Sequence, residues 1–318
     1  MDIDLAQLRD RLVTIALQAG EMITSAKPST LSSGTKKNTA DLVTETDRAV
    51  EAYISTELKR LYPSFAFMGE ETYTPGQKLG PEPTFVVDPI DGTTNFVHRH
   101  PYVSVSLGFA VDKVPTVGVV YNPFTGKLYS GVRGQGSYVR EVGGTGNPTT
   151  TTTEPKSGTG TATETETDTD IHRLPLQDPA PLTGLDSCIV ISEFGSDRSG
   201  SNWKTKADTW ARLGRSKDEG GAMVHSVRAL GSAALNLCAV AEGSLDVYWE
   251  GGCWAWDVCA GWVILTEAGG IIVDANPGTW HVPVDHRKYL AVRGATSGQK
   301  ELVEEFWANV EGTLHYEH

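Results

Sequence analysis

The chain has 318 residues, of which 39% are hydrophobic and 21% charged, so it can bury the core of one large domain or two smaller ones. Its formal net charge of −13 argues against nucleic acid as a partner, because binding to a phosphate backbone requires a basic surface. The sequence shows no secretory signal, no apolar run long enough to cross a bilayer and no metal-type spacing among its four cysteines. We therefore expect a cytoplasmic protein with reduced thiols and no membrane partner.

The N-terminal half, residues 1–142, predicts helices followed by a β-rich region. Its elements, in chain order, are a helix over 5–24, a polar hairpin over 29–44, a second helix that ends before Pro63, a strand over 65–69, a strand from residue 85 and an antiparallel meander over 103–140. Thr46 and Asp47 form the predicted cap of the second helix. This order predicts an α+β half.

Residues 143–182 differ in composition from the rest of the chain. They include five consecutive threonines at 149–153 and an alternation of threonine with acidic residues, and they contain few apolar side chains. Such a segment buries too little apolar surface to fold by itself. We interpret it as a disordered surface insertion, with a regulatory phosphorylation segment as the alternative.

The C-terminal half, residues 183–318, alternates between strands and helices. Its predicted elements are a buried strand over 187–192, a helix over 202–215, a strand from 225, a small-residue helix from 231 to about 243, a strand over 245–249, a buried helix over 255–268, strands over 271–273 and 289–292, and a closing helix over 299–310. Alternating elements of this kind predict mixed α/β packing.

The stretch 85–95 has the composition of a metal and phosphate site. An apolar strand runs into Asp88 and Asp91, which flank Pro89, so both carboxylates can point at one cation. Gly92 permits a sharp bend, and the amides after it open a predicted helix N-terminus where a phosphate can bind. The pattern indicates metal-assisted phosphate chemistry. The alternative is a strand-to-helix turn without a ligand.

Two further acids stand at the ends of predicted elements. Glu70 follows a short strand, and Asp257 lies in the first turn of the apolar helix over 255–268. An acid in a first helical turn complements the helix dipole, which gives Asp257 a purely structural alternative. Because a buried carboxylate requires a partner, we favour metal ligation for Asp257.

Three sequence blocks resemble the inositol monophosphatase family of the lithium-sensitive, magnesium-dependent phosphatase superfamily. They are Met68-Gly-Glu-Glu71, then Val87-Asp-Pro-Ile-Asp-Gly-Thr-Thr-Asn-Phe-Val-His98, then Trp256-Asp-Val-Cys-Ala-Gly261 with Glu267-Ala-Gly-Gly270. The resemblance covers the chain apart from the 143–182 insertion. It implies an α/β fold built as a layered αβαβα sandwich, a homodimer, inhibition by lithium, and magnesium-dependent hydrolysis of myo-inositol monophosphate.

The resemblance also implies the ligands of two to three magnesium ions. Glu70, Asp88 and the backbone carbonyl of Ile90 hold one ion. Asp88, Asp91 and Asp257 hold a second ion, so that Asp88 bridges the two. Glu70 helps to place a third, weaker ion.

The same resemblance implies the remaining site residues. The amides of Gly92, Thr93 and Thr94 bind phosphate oxygens. Asp47 and Thr93 orient the attacking water, with Glu70 nearby. The positions that match the family's contacts with the sugar-like alcohol are Gly231, Ser232, Ala233 and Glu250, together with Asp257.

Other substrates and one other function remain as alternatives. A sugar phosphate, a nucleotide 2′- or 3′-phosphate or another small phosphomonoester could be hydrolysed instead. Glu250 favours inositol, because a carboxylate there can accept hydrogen bonds from two ring hydroxyls. A non-catalytic relative that binds inositol phosphates is a further alternative. The presence of all the side-chain metal ligands and of Asp47 and Thr93 argues against it.

Several other polar residues are candidates with two interpretations. Lys36 and Lys37, on the predicted hairpin, either steer phosphate or are surface residues. His98 and His100 are interpreted as structural, because magnesium prefers oxygen ligands. Arg198 belongs to a loop, residues 193–198, that resembles one near the family's substrate pocket; a dimer contact and plain surface are the alternatives.

Overall fold

The computed structural model describes most of the chain. The described residues are 3–27, 34–35, 42–143 and 171–317, with backbone alone at 34–35 and 42–43. Lys36 and Lys37 lie outside these ranges, as do residues 144–170 of the predicted insertion.

Helices form where apolar residues recur with helical spacing. Within the described residues they are α1 Leu5–Ser25, α2 Glu45–Leu61, α3 Thr93–His98, α4 Gly200–Gly214, α5 Ala233–Glu242, α6 Ala255–Glu267 and α7 Gln299–Ala308. The predicted cap of α2 is wrong. Thr44 is the N-cap, and its hydroxyl oxygen accepts hydrogen bonds from the amides of Thr46 and Asp47. Asp47 accepts from the Thr44 amide in return, which completes a capping box inside the first turn.

The strands form three sheets in the described part of the chain. Their bounds are β1 Gly34–Thr35, β2 Leu42–Val43, β3 Ala66–Gly69, β4 Thr84–Asp91, β5 Ser104–Val111, β6 Val114–Tyr121, β7 Lys127–Val132, β8 Gly136–Glu141, β9 Ile171–Arg173, β10 Ile189–Ser192, β11 Ser226–Arg228, β12 Val247–Gly251, β13 Ile271–Val273 and β14 Lys288–Val292. β1 and β2 pair as the predicted hairpin.

Each of the two large sheets mixes parallel and antiparallel neighbours. The seven-stranded sheet has the order β3-β4-β5-β6-β7-β8-β9, in which β3 and β4 are parallel and the other pairs antiparallel. The predicted meander is therefore confirmed. The five-stranded sheet has the order β11-β10-β12-β14-β13, in which β10 runs parallel to both of its neighbours.

Helices and sheets stack in five layers. Leu12 of α1 and Leu107 of β5 belong to one core cluster, on the outer face of the seven-stranded sheet. Leu237 of α5 and Tyr248 of β12 belong to a second cluster, which also includes residues of α6 and fills the space between the sheets. Phe306 of α7 belongs to a third cluster on the far face of the five-stranded sheet. The predicted αβαβα sandwich is confirmed.

The end of the predicted insertion is folded. Strand β9 extends the seven-stranded sheet, and Leu174 and Leu182 after it are buried. The Leu182 amide donates to the Ser297 carbonyl at 3.0 Å. Apolar residues thus resume just after the threonine-rich stretch, and residues 171–182 belong to the fold. The division of the chain into two halves stays a prediction.

The helices and the cysteines each allow one further observation. None of the helices in the described ranges has the length and apolar character that a bilayer crossing requires. All four cysteines are free and buried.

Three glycines let α6 lie directly on the seven-stranded sheet. Gly108, Gly118 and Gly131 face one another across β5, β6 and β7. A Cβ atom at Gly118 would lie 2.2 Å from the Ala260 carbonyl oxygen, and one at Gly108 would lie 2.6 Å from the Cys259 sulfur. These positions have no room for a side chain, so the helix backbone packs against the strand backbone.

We expect Gly118→Ala to lower the free energy of unfolding by about 1–3 kcal/mol, the usual effect of overpacking a core. The added methyl group would collide with the α6 backbone, which cannot move aside as the end of a flexible side chain can. Thermal and urea denaturation would measure the loss. Gly214→Ala at the end of α4 is the control, because its Cβ would meet nothing within 4 Å. Equal stability of the two variants would contradict the close packing.

Candidate active site

Three carboxylates from two distant parts of the chain meet beside the seven-stranded sheet. Asp88 and Asp91 come from β4 and Asp257 from the first turn of α6. Each offers an oxygen, and these oxygens all lie within 4.8 Å of one another. Asp88 and Asp91 are buried and Asp257 is half-buried. The three acids predicted as metal ligands are therefore brought together.

The end of β4 is shaped to present two acids. The register of β4 against β5 shifts between Asp88 and Asp91, and the Ile90 amide donates to Asp88 Oδ1 at 3.0 Å. Gly92 follows with φ 97°, and a Cβ there would lie 3.0 Å from the Gly231 carbonyl oxygen. Both the left-handed backbone and the close approach favour glycine at this position. The bulge and the turn direct both carboxylates to one side.

Glu70 adds a fourth carboxyl to this group. It directly follows β3, and its amide donates to the Val87 carbonyl at 3.2 Å. Its side chain hydrogen-bonds to Asp88. Burial, followed by the charge of Glu70, raises the pKa of Asp88 well above its ordinary value.

Burial also dominates the protonation of the other two acids. It raises the pKa of Asp91 to about 6, although hydrogen bonds from Ser232 and the α5 amides act in the opposite direction. It raises the pKa of Asp257 well above the usual range, and the charges of Glu70 and Asp91 add to the effect. Carboxylates crowded in this way repel one another and bind protons or a cation. The all-oxygen donor set fits a hard divalent ion such as magnesium.

Asp91 is held by the N-terminus of α5. The Ala233 and Ala234 amides donate to its two oxygens at 3.2 and 2.8 Å, and the Ser232 hydroxyl also donates to it. Ser104 donates at 3.3 Å. Ser232 and Ala233 were predicted as alcohol contacts; they line the adjacent cavity and also orient Asp91.

Thr93 and Asp47 form a separate hydrogen-bonded pair. Thr93 Oγ1 lies 3.1 Å from Asp47 Oδ1 and 3.1 Å from the Ile90 carbonyl oxygen, either of which can accept its proton. Asp47 is 1% exposed, and its other oxygen accepts from the Thr44 amide and hydroxyl. Burial raises the pKa of Asp47, and the hydrogen bonds from Thr44 oppose that rise. The pair links α2 to the first turn of α3.

A polar cavity of about 300 Å³ opens beside the carboxylates. Asp91 and Asp257 belong to both the carboxylate cluster and the cavity wall. Glu250 also lines the cavity, and its Oε2 accepts from the Tyr248 hydroxyl. Burial, followed by the charge of Glu193, raises the pKa of Glu250 to about 7. Arg198 also lines this cavity, and its place near a substrate pocket stays a prediction.

Sequence reasoning missed Glu193. Its Oε1 accepts hydrogen bonds from the Leu230 and Gly231 amides at 2.7 and 2.8 Å and from Asn236 Nδ2 at 3.0 Å. It thereby fixes the turn that leads into α5. The signal was present, because Glu193 directly follows a buried strand, as Glu70 does.

Comparison with known proteins identifies the family. The model of the inositol monophosphatase family matches residues 4–313. Inositol monophosphatase 2 of Saccharomyces cerevisiae is 43% identical to the chain over 287 residues, which cover 88% of the chain and 86% of that protein. The chain belongs to the inositol monophosphatase family. It is thereby a member of a family of metal-dependent phosphatases, and its acidic cluster is a candidate metal site.

Other relatives include a second yeast inositol monophosphatase and a protein with a different name. Inositol monophosphatase 1 of Saccharomyces cerevisiae is 39% identical over 330 residues and spans 100% of both chains. Protein qutG of Emericella nidulans is 36% identical over 306 residues, covering 89% of the chain and 85% of that protein. Membership of the inositol monophosphatase family therefore leaves the alcohol open.

Solved structures agree with the family assignment. The inositol monophosphatase from Anabaena (Nostoc) sp. PCC 7120 superposes with a TM-score of 0.69 at 25% identity and covers 98% of each chain. The predicted layered fold is the fold of this family.

Magnesium should stabilise the wild type and not Asp257→Asn. Mass action predicts about 2–3 kcal/mol at a magnesium concentration near 100 Kd. In EDTA at pH 7 we expect the variant to be no less stable than the wild type. Acids whose pKa rises on folding destabilise the fold once the pH exceeds their unfolded pKa, and the substitution removes one such charge.

Thermal melting with and without magnesium would measure this difference. Asp208→Asn on the exposed face of α4 is the matched control and should respond as the wild type does. An equal magnesium-dependent rise in Tm for the wild type and Asp257→Asn would exclude Asp257 from the metal site.

Proposed function

We propose that the chain hydrolyses myo-inositol monophosphate to myo-inositol and phosphate with magnesium as cofactor. The supporting observation is that Asp91 and Asp257 belong both to the carboxylate cluster and to the wall of the polar cavity. A phosphomonoester placed across this boundary has its phosphate at the acids and its alcohol in the cavity. Family membership supports phosphatase chemistry, and Glu250 supports the polyol.

The acids supply the proposed metal ligands. Glu70, Asp88 and the Ile90 carbonyl would hold one magnesium, and Asp88, Asp91 and Asp257 a second, with Glu70 near a third. Magnesium bound there supplies an acidified water and neutralises negative charge on the phosphate and the departing alcohol oxygen. Asp88 would be the shared ligand, a role supported by its interactions with both Glu70 and Asp91.

Thr93 and Asp47 orient the attacking water in this proposal. When the Thr93 hydroxyl donates to Asp47, its oxygen lone pairs accept a hydrogen bond from water. The Thr44 amide and hydroxyl hold Asp47 in place, so a fixed acceptor lies 3.1 Å from the Thr93 hydroxyl before substrate binds. Such positioning lowers the entropic barrier of an in-line displacement.

The first turn of α3 provides the phosphate contacts. The amides of Gly92, Thr93 and Thr94 stand at a helix N-terminus, where backbone N–H groups have no partner within the helix. Gly92 adopts its left-handed conformation directly after Asp91, so these amides follow the acids of β4 immediately along the chain. Phosphate oxygens would accept hydrogen bonds from them.

Glu250 gives the cavity its preference for a polyol. Tyr248 fixes one carboxylate oxygen, and the other lies on the side of Gly195 in the cavity wall. A carboxylate held in this way accepts hydrogen bonds from ring hydroxyls. The backbone of Gly231 and the first residues of α5 complete this wall.

The resemblance also supports three further parts of the proposal. We place the enzyme in the cytoplasm, where its free cysteines stay reduced. We propose a homodimer, for which sedimentation is the measurement. We also propose inhibition by lithium through displacement of one magnesium.

Asp91→Asn should reduce turnover of myo-inositol 1-phosphate by roughly 10³-fold, since a metal ligand contributes several kcal/mol of charge stabilisation. Release of inorganic phosphate with magnesium present is the measurement. Asp208→Asn is again the control and should keep wild-type turnover. Wild-type protein that releases no phosphate from any monoester would contradict the phosphatase proposal, and an active Asp91→Asn would contradict the metal assignment.

Substrate preference follows from Glu250. We expect kcat/KM for myo-inositol 1-phosphate to exceed that for sugar and nucleotide monophosphates. Above pH 7, where Glu250 is mainly charged, Glu250→Gln should raise KM for the inositol ester by about tenfold, because a charged acceptor of hydroxyl groups contributes more than a neutral one. A higher kcat/KM for a sugar or nucleotide monophosphate would favour the corresponding alternative.

A further inference from the structure

A buried lysine lies behind the wall of the substrate cavity. Lys206 belongs to α4, is 1% exposed and ranks among the largest fully buried side chains in the described chain. Burying an ammonium group is unfavourable unless it is hydrogen-bonded and faces opposite charge. An apolar side chain would fill the same volume without that penalty, so packing alone does not account for a lysine at this position.

The ammonium joins two backbone segments. Lys206 Nζ donates to the Phe194 carbonyl at 3.1 Å and to the Gly251 carbonyl at 2.6 Å. Phe194 follows β10, and Gly251 ends β12 directly after Glu250. Phe194, Gly195 and Glu250 all line the cavity of about 300 Å³. One cation thus connects the two segments that form this wall.

The charge of Lys206 faces Glu250. A Cβ atom at Gly195 would lie 3.0 Å from Lys206 Nζ and 3.8 Å from Glu250 Oε1, so both groups approach the same point. Burial lowers the pKa of Lys206, and Glu250 is the leading charge that opposes this effect. The Tyr316 ring lies on another side, with its centroid 5.4 Å from Nζ.

We propose that Lys206 is a positioning residue that holds Glu250 and the Phe194–Gly195 wall in the arrangement that selects a polyhydroxylated alcohol. This inference rests on the proposed function, since it assigns the alcohol to this cavity. Lys206 is not a catalytic residue, because it acts from behind the wall through the two carbonyls and Glu250. Its loss should affect binding of ring hydroxyls and leave the metal and phosphate groups in place.

The test compares two substrates in wild type, Lys206→Met and a control. Myo-inositol 1-phosphate has ring hydroxyls for Glu250, whereas p-nitrophenyl phosphate has none. We expect Lys206→Met to raise KM for the inositol ester by about tenfold, while its kcat and both constants for p-nitrophenyl phosphate change less than about twofold. Lys204→Met is the control, since Lys204 lies on the exposed face of the same helix and should change nothing.

Each outcome is decisive. An inactive wild type contradicts the proposed function and this inference with it. An active wild type with equal KM changes for both substrates, or with none, contradicts this inference alone. If thermal melting shows that Lys206→Met is unfolded, Lys206→Gln replaces it. This variant keeps an N–H donor for the carbonyls, so it should raise KM for the inositol ester by less than the tenfold expected of Lys206→Met. Failure of both variants to fold would assign Lys206 to folding and overturn the inference.

Discussion

The site depends on how closely α6 approaches the seven-stranded sheet. Glycines on three neighbouring strands remove the side chains that would separate them, and the Ser106 hydroxyl donates to the Trp256 carbonyl at 3.1 Å. Asp257 follows Trp256 and is therefore held at a fixed distance from the acids of β4. An ordinary helix–sheet separation would leave Asp257 apart from Asp88 and Asp91. Backbone packing thus determines whether the carboxylates can share a cation.

Helix N-termini offset the repulsion among the acids. Asp91 accepts amide hydrogens at the start of α5, Asp257 accepts the Trp254 amide at 2.6 Å, and Asp47 lies in the first turn of α2. Each helix presents the positive end of its dipole to a carboxylate. These interactions counteract part of the cost of burying the acids, whose pKa values nevertheless stay raised. They also fix the direction of each carboxylate, because an aspartate side chain without such hydrogen bonds can rotate.

Much of the fold and of the metal cluster could be predicted from local sequence. Strand-then-acid patterns located Glu70, Asp88 and Asp91, and apolar periodicity located the helices and strands that make the layers. Contacts across the chain were not predictable in this way. The hold of α5 on Asp91 and the bonds from Lys206 to the carbonyls join residues that tertiary packing alone brings together. Strand β9 was missed because the threonine-rich composition before it dominated the pattern. Glu193 was also missed, although it directly follows a buried strand, as Glu70 does.

Both large sheets contribute residues to the lining of the cavity. Asp91 ends a strand of the seven-stranded sheet, whereas Glu250 lies in a strand of the five-stranded sheet and Glu193 directly follows another strand of it. In the proposed function, Asp91 acts on the phosphate and Glu250 on the alcohol, so the two sheets contribute to different parts of the substrate site. On this proposal, substitutions near Glu250 are expected to change which alcohol is accepted while the carboxylates of the seven-stranded sheet retain the hydrolytic chemistry.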